Sequence, residues 1–199
     1  MTVFIQIGIA ACIVIYASIY LIGMWRGHVR PVMATWLFFT LATVLSFITD
    51  YSQTGTAGLA ANSFNIFDTV ACTTIFIVTL FQPAVRKQFN TLEKWCIGAV
   101  VIVFVCWLLS DQNVLAHLSI QIILFIAYIP TMTHLLHAAH NTESLWSWTF
   151  DCLASILGFT VALRTVDLLP LVYTGRSILC TGLVVVLILR LKWRNTSST

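Results

Sequence analysis

The chain contains 199 residues, of which 59% are hydrophobic and 9% are charged, and its formal net charge is +3. Soluble domains carry roughly 25% charged residues, so the composition excludes a water-soluble globular protein and indicates one that lies within a membrane. The ten Lys and Arg residues stand in short groups between apolar segments, a pattern that also excludes a nucleic-acid partner.

The first apolar segment, residues 3 to 24, is interpreted as a membrane-spanning helix rather than a cleaved leader. No Lys or Arg precedes it, and it is longer than the apolar part of a secretory signal peptide. Residues 9 to 12, Ile-Ala-Ala-Cys, resemble a lipoprotein cleavage box, but the missing basic start argues against that interpretation too. We therefore count this segment as span one.

Six further apolar segments follow, separated by polar or charged breaks. A membrane-spanning helix needs about 20 mostly apolar residues, and segments of this length are too long for the strands of a membrane barrel. Backbone groups in hydrocarbon must be satisfied within their own segment, so each segment is predicted to be a helix. Spans two to seven are predicted at residues 33 to 50, 64 to 82, 95 to 110, 114 to 136, 146 to 163 and 170 to 190.

Basic residues are distributed unevenly between the two predicted sides of the membrane. With seven spans, one side receives eight of them: Arg26, Arg30, Arg86, Lys87, Lys94, Arg190, Lys192 and Arg194. The other side receives only Arg164, and Arg176 lies within span seven. Because cytoplasmic loops are enriched in Lys and Arg, this bias predicts an N-terminus outside and a C-terminus in the cytoplasm, in the plasma (inner) membrane.

The sequence contains an internal repeat at an offset of 112 residues. Six of the twelve positions from 36 to 47 are identical to their counterparts, against about one expected by chance. The identical pairs are Trp36 with Trp148, Phe38 with Phe150, Leu41 with Leu153, Ala42 with Ala154, Leu45 with Leu157 and Phe47 with Phe159. Tyr20 and Met24 recur as Tyr128 and Met132 at an offset of 108.

The repeat equates spans one, two and three with spans five, six and seven, and it leaves span four as a connector. Three spans and a connector make an even number, so both repeats run in the same direction through the membrane, a plan that recurs in transporters. The predicted fold is an all-α membrane protein of two parallel triple-helix bundles, a 3+1+3 arrangement. Its units are residues 1 to 90, the connector at residues 91 to 112, and residues 113 to 199.

This plan resembles that of the SWEET sugar transporters and the wider PQ-loop superfamily, which includes the bacterial nicotinamide riboside transporters and the KDEL receptors. The local resemblance is clearest from residue 128 to residue 148, where Pro130, near the end of a repeat's first helix, precedes a short polar loop and a Ser-containing entry into the second helix. Residues 30 to 36, Arg-Pro-Val-Met-Ala-Thr-Trp, resemble the matching loop of the first repeat. Thr131 stands where the family's glutamine would, and Ile22 stands where a proline would.

The resemblance implies a carrier in which the substrate lies between the two triple-helix units, near tryptophan and asparagine side chains. Trp36, Trp148 and Asn65 are the corresponding candidates in this sequence. The two tryptophans share the repeat position and could stack on a ring-shaped substrate, or they could serve as core or interfacial residues.

Ionisable residues within spans indicate further candidates, because a charge in hydrocarbon is costly and commonly functional. Asp68 in span three and Arg176 in span seven lie at similar predicted depths and could pair across the pathway, either to bind a substrate or as a structural bridge. Tyr173, one turn before Arg176, is a further candidate. Asp151, one turn into span six, could be a proton-linked carboxylate, a second partner for Arg176, or a hydrated group near the headgroups.

The residues give little support to metal, cofactor or enzyme chemistry. His134, His137 and His140 have helical spacing, but they fall in a predicted loop with only Glu143 nearby as another ligand. No nucleophile paired with a base, phosphate loop or zinc motif occurs in the sequence. We therefore expect no metal, no cofactor and no enzymatic activity.

The sequence as a whole predicts a carrier for a small polar metabolite, sugar-like or vitamin-like, that works by alternating access between two triple-helix units. The alternative is a membrane receptor or sensor of the same fold, which binds a ligand without transporting it. The expected partners are a small-molecule substrate and the lipid bilayer, and association into a homo-oligomer is left open.

Overall fold

The computed structural model describes residues 2 to 61, 63 to 83, 85, 88 to 109, 113 to 165 and 168 to 196. Within these ranges the chain forms α-helices joined by short turns, and it forms no strand. The helices are α1 (Thr2–Trp25), α2 (Met33–Ala61), α3 (Ser63–Phe81), α4 (Thr91–Leu108), α5 (Asn113–His137), α6 (Leu145–Thr165) and α7 (Leu168–Thr196). The predicted all-α class is confirmed for this part of the chain.

Among the described residues, six helices are long and apolar enough to cross a membrane, and α2 has a shorter apolar segment, Met33–Thr49. α2 then continues as a helix through polar and small residues to Ala61. The predicted end of span two, near residue 50, marks the end of the apolar segment rather than the end of the helix. Polar side chains leave the backbone hydrogen bonds of a helix intact, so hydropathy does not detect such an extension.

Local signals set the helix ends near the loops. α4 begins four residues before its predicted start at residue 95, because Asn90 and Glu93 form a reciprocal capping box. After α1, Gly27 adopts a φ of 72°, a left-handed conformation that favours glycine. The backbone amide of Arg30 then donates to the carbonyl of Thr142, so the α1–α2 loop lies against the α5–α6 loop.

The helices pack around a hydrophobic core that includes several aromatic side chains. α3 packs against α1 and α2, and α7 packs against α5 and α6. α1 lies against α6, α2 lies against α5, and α4 packs against α5 and α2. Large apolar side chains such as Phe4, Leu179 and Val186 are exposed on the outside of the bundle. An apolar exterior of this kind is expected where helices contact lipid rather than water.

Candidate functional site

A narrow cleft lies in the interior of the bundle. Every described helix except α4 contributes to it. The cleft is lined by Tyr16, Trp36, Phe39, Asp68, Cys72, Leu124, Tyr128, Trp148, Asp151, Tyr173, Arg176 and Ser177. We call this the central cleft. Six of the seven candidates from the sequence lie in its lining: Trp36, Asp68, Trp148, Asp151, Tyr173 and Arg176.

Asp68 on α3 accepts hydrogen bonds from two tyrosines that belong to different helices. The Tyr16 hydroxyl donates to Oδ1 at 2.9 Å, and the Tyr173 hydroxyl donates to Oδ2 at 3.2 Å. The Cys72 thiol, one helical turn away, lies 3.6 Å from Oδ1 and makes a weak third contact. Both carboxylate oxygens of Asp68 are therefore already engaged by protein donors, and the carboxylate ties α1, α3 and α7 together.

Arg176 on α7 is held by an amide and by two aromatic rings. Its Nε donates to Oε1 of Gln121 at 2.9 Å, and its guanidinium carbon lies 5.2 Å from the ring centroid of Tyr173 and 5.9 Å from that of Tyr128. Such distances allow cation–π attraction. Its Nη1 is buried and makes no hydrogen bond to any residue that the structure describes.

Asp68 and Arg176 line the same cleft but make no direct ion pair within the described ranges. Tyr173 joins them instead, because its hydroxyl donates to Asp68 while its ring packs against the guanidinium. The two charged residues are thus linked through Tyr173, which both of them contact. The spacing of residues along the two helices does not predict this arrangement.

Asp151 on α6 lies in the lining one turn after Trp148. Its carboxylate makes no hydrogen bond or ion pair to the residues described. Asp68 and Arg176 each use part of their charged group in hydrogen bonds to described residues. The carboxylate of Asp151 uses none of its oxygens in this way.

Two residues of the cleft lining, Trp36 and Trp148, belong to a group of hydrogen-bonded side chains with Tyr20 and Glu143, which we call the Glu143 cluster. Oε2 of Glu143 accepts from the Tyr20 hydroxyl at 2.9 Å and from Nε1 of Trp148 at 3.0 Å. Nε1 of Trp36 donates to the Tyr20 hydroxyl at 3.1 Å, and the ring centroids of the two tryptophans lie 6.3 Å apart. Of the two repeat-related tryptophans, Trp148 thus bonds to the carboxylate directly and Trp36 is linked to it through Tyr20.

Glu143 lies in the loop between α5 and α6, where its side chain is only 4% exposed. Asn141 braces the loop: its Oδ1 accepts from the Glu143 amide, and its Nδ2 donates to the Glu143 carbonyl. Burial raises the pKa of the Glu143 carboxyl from about 4.5 to about 7, while the hydrogen bonds from Trp148 and Tyr20 oppose the rise. The carboxyl therefore changes protonation state near neutral pH.

The sequence does not indicate the role of Glu143. Its position beside the histidines suggests only a loop carboxylate, and a loop position is typical of a solvated side chain. A signal is nevertheless present, since Glu143 follows an Asn that favours turns and precedes the repeat tryptophan by five residues. The structure also adds Tyr16, Phe39, Cys72, Leu124, Tyr128 and Ser177 to the lining.

Asn65 is buried, but it is not part of the cleft lining. Its Nδ2 donates to Oγ of Ser46 at 2.9 Å, which joins α3 to α2. Asn65 lies one turn before Asp68 on α3, and in this conformation the cleft is lined from α3 by Asp68 and Cys72.

His134 and His137 lie in the last turn of α5 rather than in a loop as predicted, and they contact the protein around them. Nε2 of His134 lies 3.1 Å from Oγ1 of Thr142, and Nδ1 of His137 lies 2.8 Å from the carbonyl of Thr133. Within the ranges described, no group of three or more His, Cys, Asp or Glu residues is placed to hold a metal ion.

The fold and the central cleft define a class of protein: a helical membrane protein with a charged and aromatic cleft inside the bundle. Comparisons of the chain with protein-family models, with curated proteins and with solved structures found no match.

Proposed function

We propose that this protein is a membrane carrier for a small polar metabolite, which occupies the central cleft during transport. The observation that carries the proposal is the lining of the cleft, where two carboxylates and a guanidinium lie inside a bundle of apolar helices. Charges in such surroundings are costly and commonly mark a pathway for a polar solute.

The cleft lining supports the internal repeat. At an offset of 112, Trp36 corresponds to Trp148 and Phe39 to Asp151, and all four side chains line the cleft. The starts of α2 and α6, Met33 and Leu145, differ by the same offset. The packing of the helices is also the same in the two halves. α3 packs against α1 and α2 as α7 packs against α5 and α6, and α1 packs against α6 as α5 packs against α2.

These correspondences favour two triple-helix units joined by α4, as in the SWEET and PQ-loop proteins. Transport in this plan requires the cleft to open toward each side in turn. We assign the closure of one side to the Glu143 cluster, because its hydrogen bond from Tyr20 joins the first half of the chain to the second. Arg26 and Arg30 lie in the neighbouring α1–α2 loop, so we assign this side to the cytoplasm and the N-terminus to the outside.

Uptake by proteoliposomes tests carrier function even though the substrate is unidentified. Vesicles containing the purified protein are incubated with an equimolar metabolite mixture, washed, and analysed by mass spectrometry. We expect one chemical class to accumulate relative to protein-free vesicles. Arg176→Gln should reduce the initial uptake rate about tenfold or more, since it removes a charged donor from the cleft.

The matched control is Arg190→Gln, which removes an exposed arginine outside the cleft and should leave uptake unchanged. A metabolite that binds the protein in detergent but never accumulates in the vesicles would identify a receptor or sensor and refute the carrier proposal.

A further inference from the structure

The charges in the central cleft do not balance. Asp68 and Asp151 are both acidic, and Arg176 is the basic side chain in the lining, so with both carboxylates ionised the site has one excess negative charge. An uncompensated charge within an apolar bundle is unfavourable. A ligand with a positive charge, or a proton, would remove the imbalance.

The hydrogen bonds show which groups are available to a ligand. Both oxygens of Asp68 accept from tyrosines, and Nε of Arg176 donates to Gln121. The Asp151 carboxylate and Nη1 of Arg176 remain without a hydrogen bond to the described residues. The lining thus offers one carboxyl group and one charged donor, which a ligand could satisfy with a cationic nitrogen and an oxygen atom.

Aromatic faces complete the environment. Trp36, Trp148, Tyr128 and Tyr173 line the same cleft, and the faces of such rings attract cationic nitrogens within about 6 Å. In the repeat, Phe39 of α2 is equivalent to Asp151 of α6. Only the second half of the chain therefore has a carboxylate at this position. The cationic end of a ligand would therefore face α6, and its apolar part would face α2.

We infer that the ligand of the central cleft is a small amine that also carries an oxygen acceptor, as amino acids and amino alcohols do. Its cationic nitrogen binds Asp151, and its oxygen accepts a hydrogen bond from Nη1 of Arg176. The inference rests on the proposed carrier function for its context, but it concerns binding alone and can be tested separately.

A matched set of small molecules tests the inference on the purified full-length protein. The set contains the twenty standard amino acids, their amino alcohols, their deaminated acids and a group of hexoses, each tested by thermal shift and then by equilibrium dialysis. We expect binding by one or more amino acids or amino alcohols, and at least tenfold weaker binding by the deaminated counterpart. Amino acids and amino alcohols are tested separately, so the result also shows which of the two classes binds more tightly.

Variants assign the binding to the cleft. Asp151→Asn should weaken amine binding about tenfold or more, whereas Asp151→Glu keeps the charge and should lose less. Arg176→Gln should weaken binding of the amino acid more than binding of the matching alkylamine, which is added to the set for this comparison because it lacks the oxygen. Cys152→Ser changes the next residue of α6, which is outside the cleft lining, and should bind as the unmodified protein does.

The inference is overturned if no amine binds, if deaminated acids or hexoses bind as well as amines, or if Asp151→Asn folds normally and binds amines unchanged. Vesicles that accumulate a hexose would uphold the carrier proposal and overturn this inference. Amine binding that requires Asp151, without accumulation in vesicles, would uphold the inference and refute the carrier proposal.

Discussion

Replacing Glu143 with glutamine is expected to remove about 2 kcal/mol of the change in stability between pH 5.5 and pH 8. The carboxyl has a pKa of about 7 in the folded protein, above its ordinary value of about 4.5, because it is buried. The folded state then holds the proton more tightly than the unfolded state does. This contribution to stability is fully present below pH 4.5 and is lost as the pH rises through 7.

The size of the effect follows from the two pKa values. Between pH 5.5 and pH 8 the Glu143 carboxyl should account for a loss of about 2 kcal/mol, or on the order of 4 to 8 °C in the unfolding midpoint. Glutamine keeps an oxygen that can accept from Tyr20 and Trp148, and it cannot ionise. We expect the Glu143→Gln midpoint to vary less with pH than that of the unmodified protein and to exceed it at pH 8.

Unfolding followed by tryptophan fluorescence in detergent at both pH values measures this difference. Glu93→Gln is the matched control, because Glu93 is also a buried glutamate at the start of a helix and glutamine can keep its capping box. That variant should retain the pH dependence of the unmodified protein. An equal pH dependence in Glu143→Gln would show that Glu143 does not titrate near neutral pH.

Asp68→Asn and Arg176→Gln are each expected to lower the unfolding midpoint, and the double variant should lose less than the sum of the two. Asp68 accepts two tyrosine hydrogen bonds, and bonds to a charged group are worth roughly 1.5 to 3 kcal/mol each. Arg176→Gln leaves Asp68 and Asp151 in the cleft without the basic side chain, and Asp68→Asn removes one of those two acidic groups. Removing both restores part of the loss, by roughly 0.5 to 3 kcal/mol.

A double-mutant cycle on the purified protein measures that coupling. Tyr16→Phe with Arg176→Gln provides the control cycle: Tyr16 bonds to Asp68, but neither cation–π contact of Arg176 involves its ring. The control cycle should be nearly additive. Additivity in the Asp68 cycle as well would mean that Tyr173 does not couple Asp68 to Arg176. The role of Arg176 would then be limited to contact with a ligand.

Hydropathy was sufficient to predict the helices, because each apolar segment must form its own hydrogen bonds wherever it is buried in hydrocarbon. Hydropathy predicted the helix ends less well. α2 extends to Ala61 through residues that are too polar to look like a span, and α4 starts at a capping box that an apolar count does not include. These ends depend on backbone geometry and capping rather than on burial.

The cleft was predictable where a residue was unusual for its surroundings. Asp68, Asp151 and Arg176 stood out as charges within apolar segments, and the repeat singled out Trp36 and Trp148. The neighbours that define their chemistry were not predictable, because tyrosines such as Tyr16 are common in membrane helices and only the packing brings this one to Asp68. Glu143 was missed for the opposite reason, since a carboxylate in a loop is normally solvated and this one is buried.

Labelling of Cys72 from each side of the membrane tests most directly whether the central cleft opens alternately. Cys72 lies in the lining, and a variant in which the five other cysteines are replaced by serine or alanine leaves it as the single reactive thiol. A membrane-impermeant maleimide is added to one side of oriented, sealed vesicles at a time. If the cleft opens toward both sides, Cys72 reacts from either side, and an amine that binds the cleft slows both reactions. Reaction from one side only, in a variant that still binds ligand, would contradict alternating access and leave a receptor that opens to a single face.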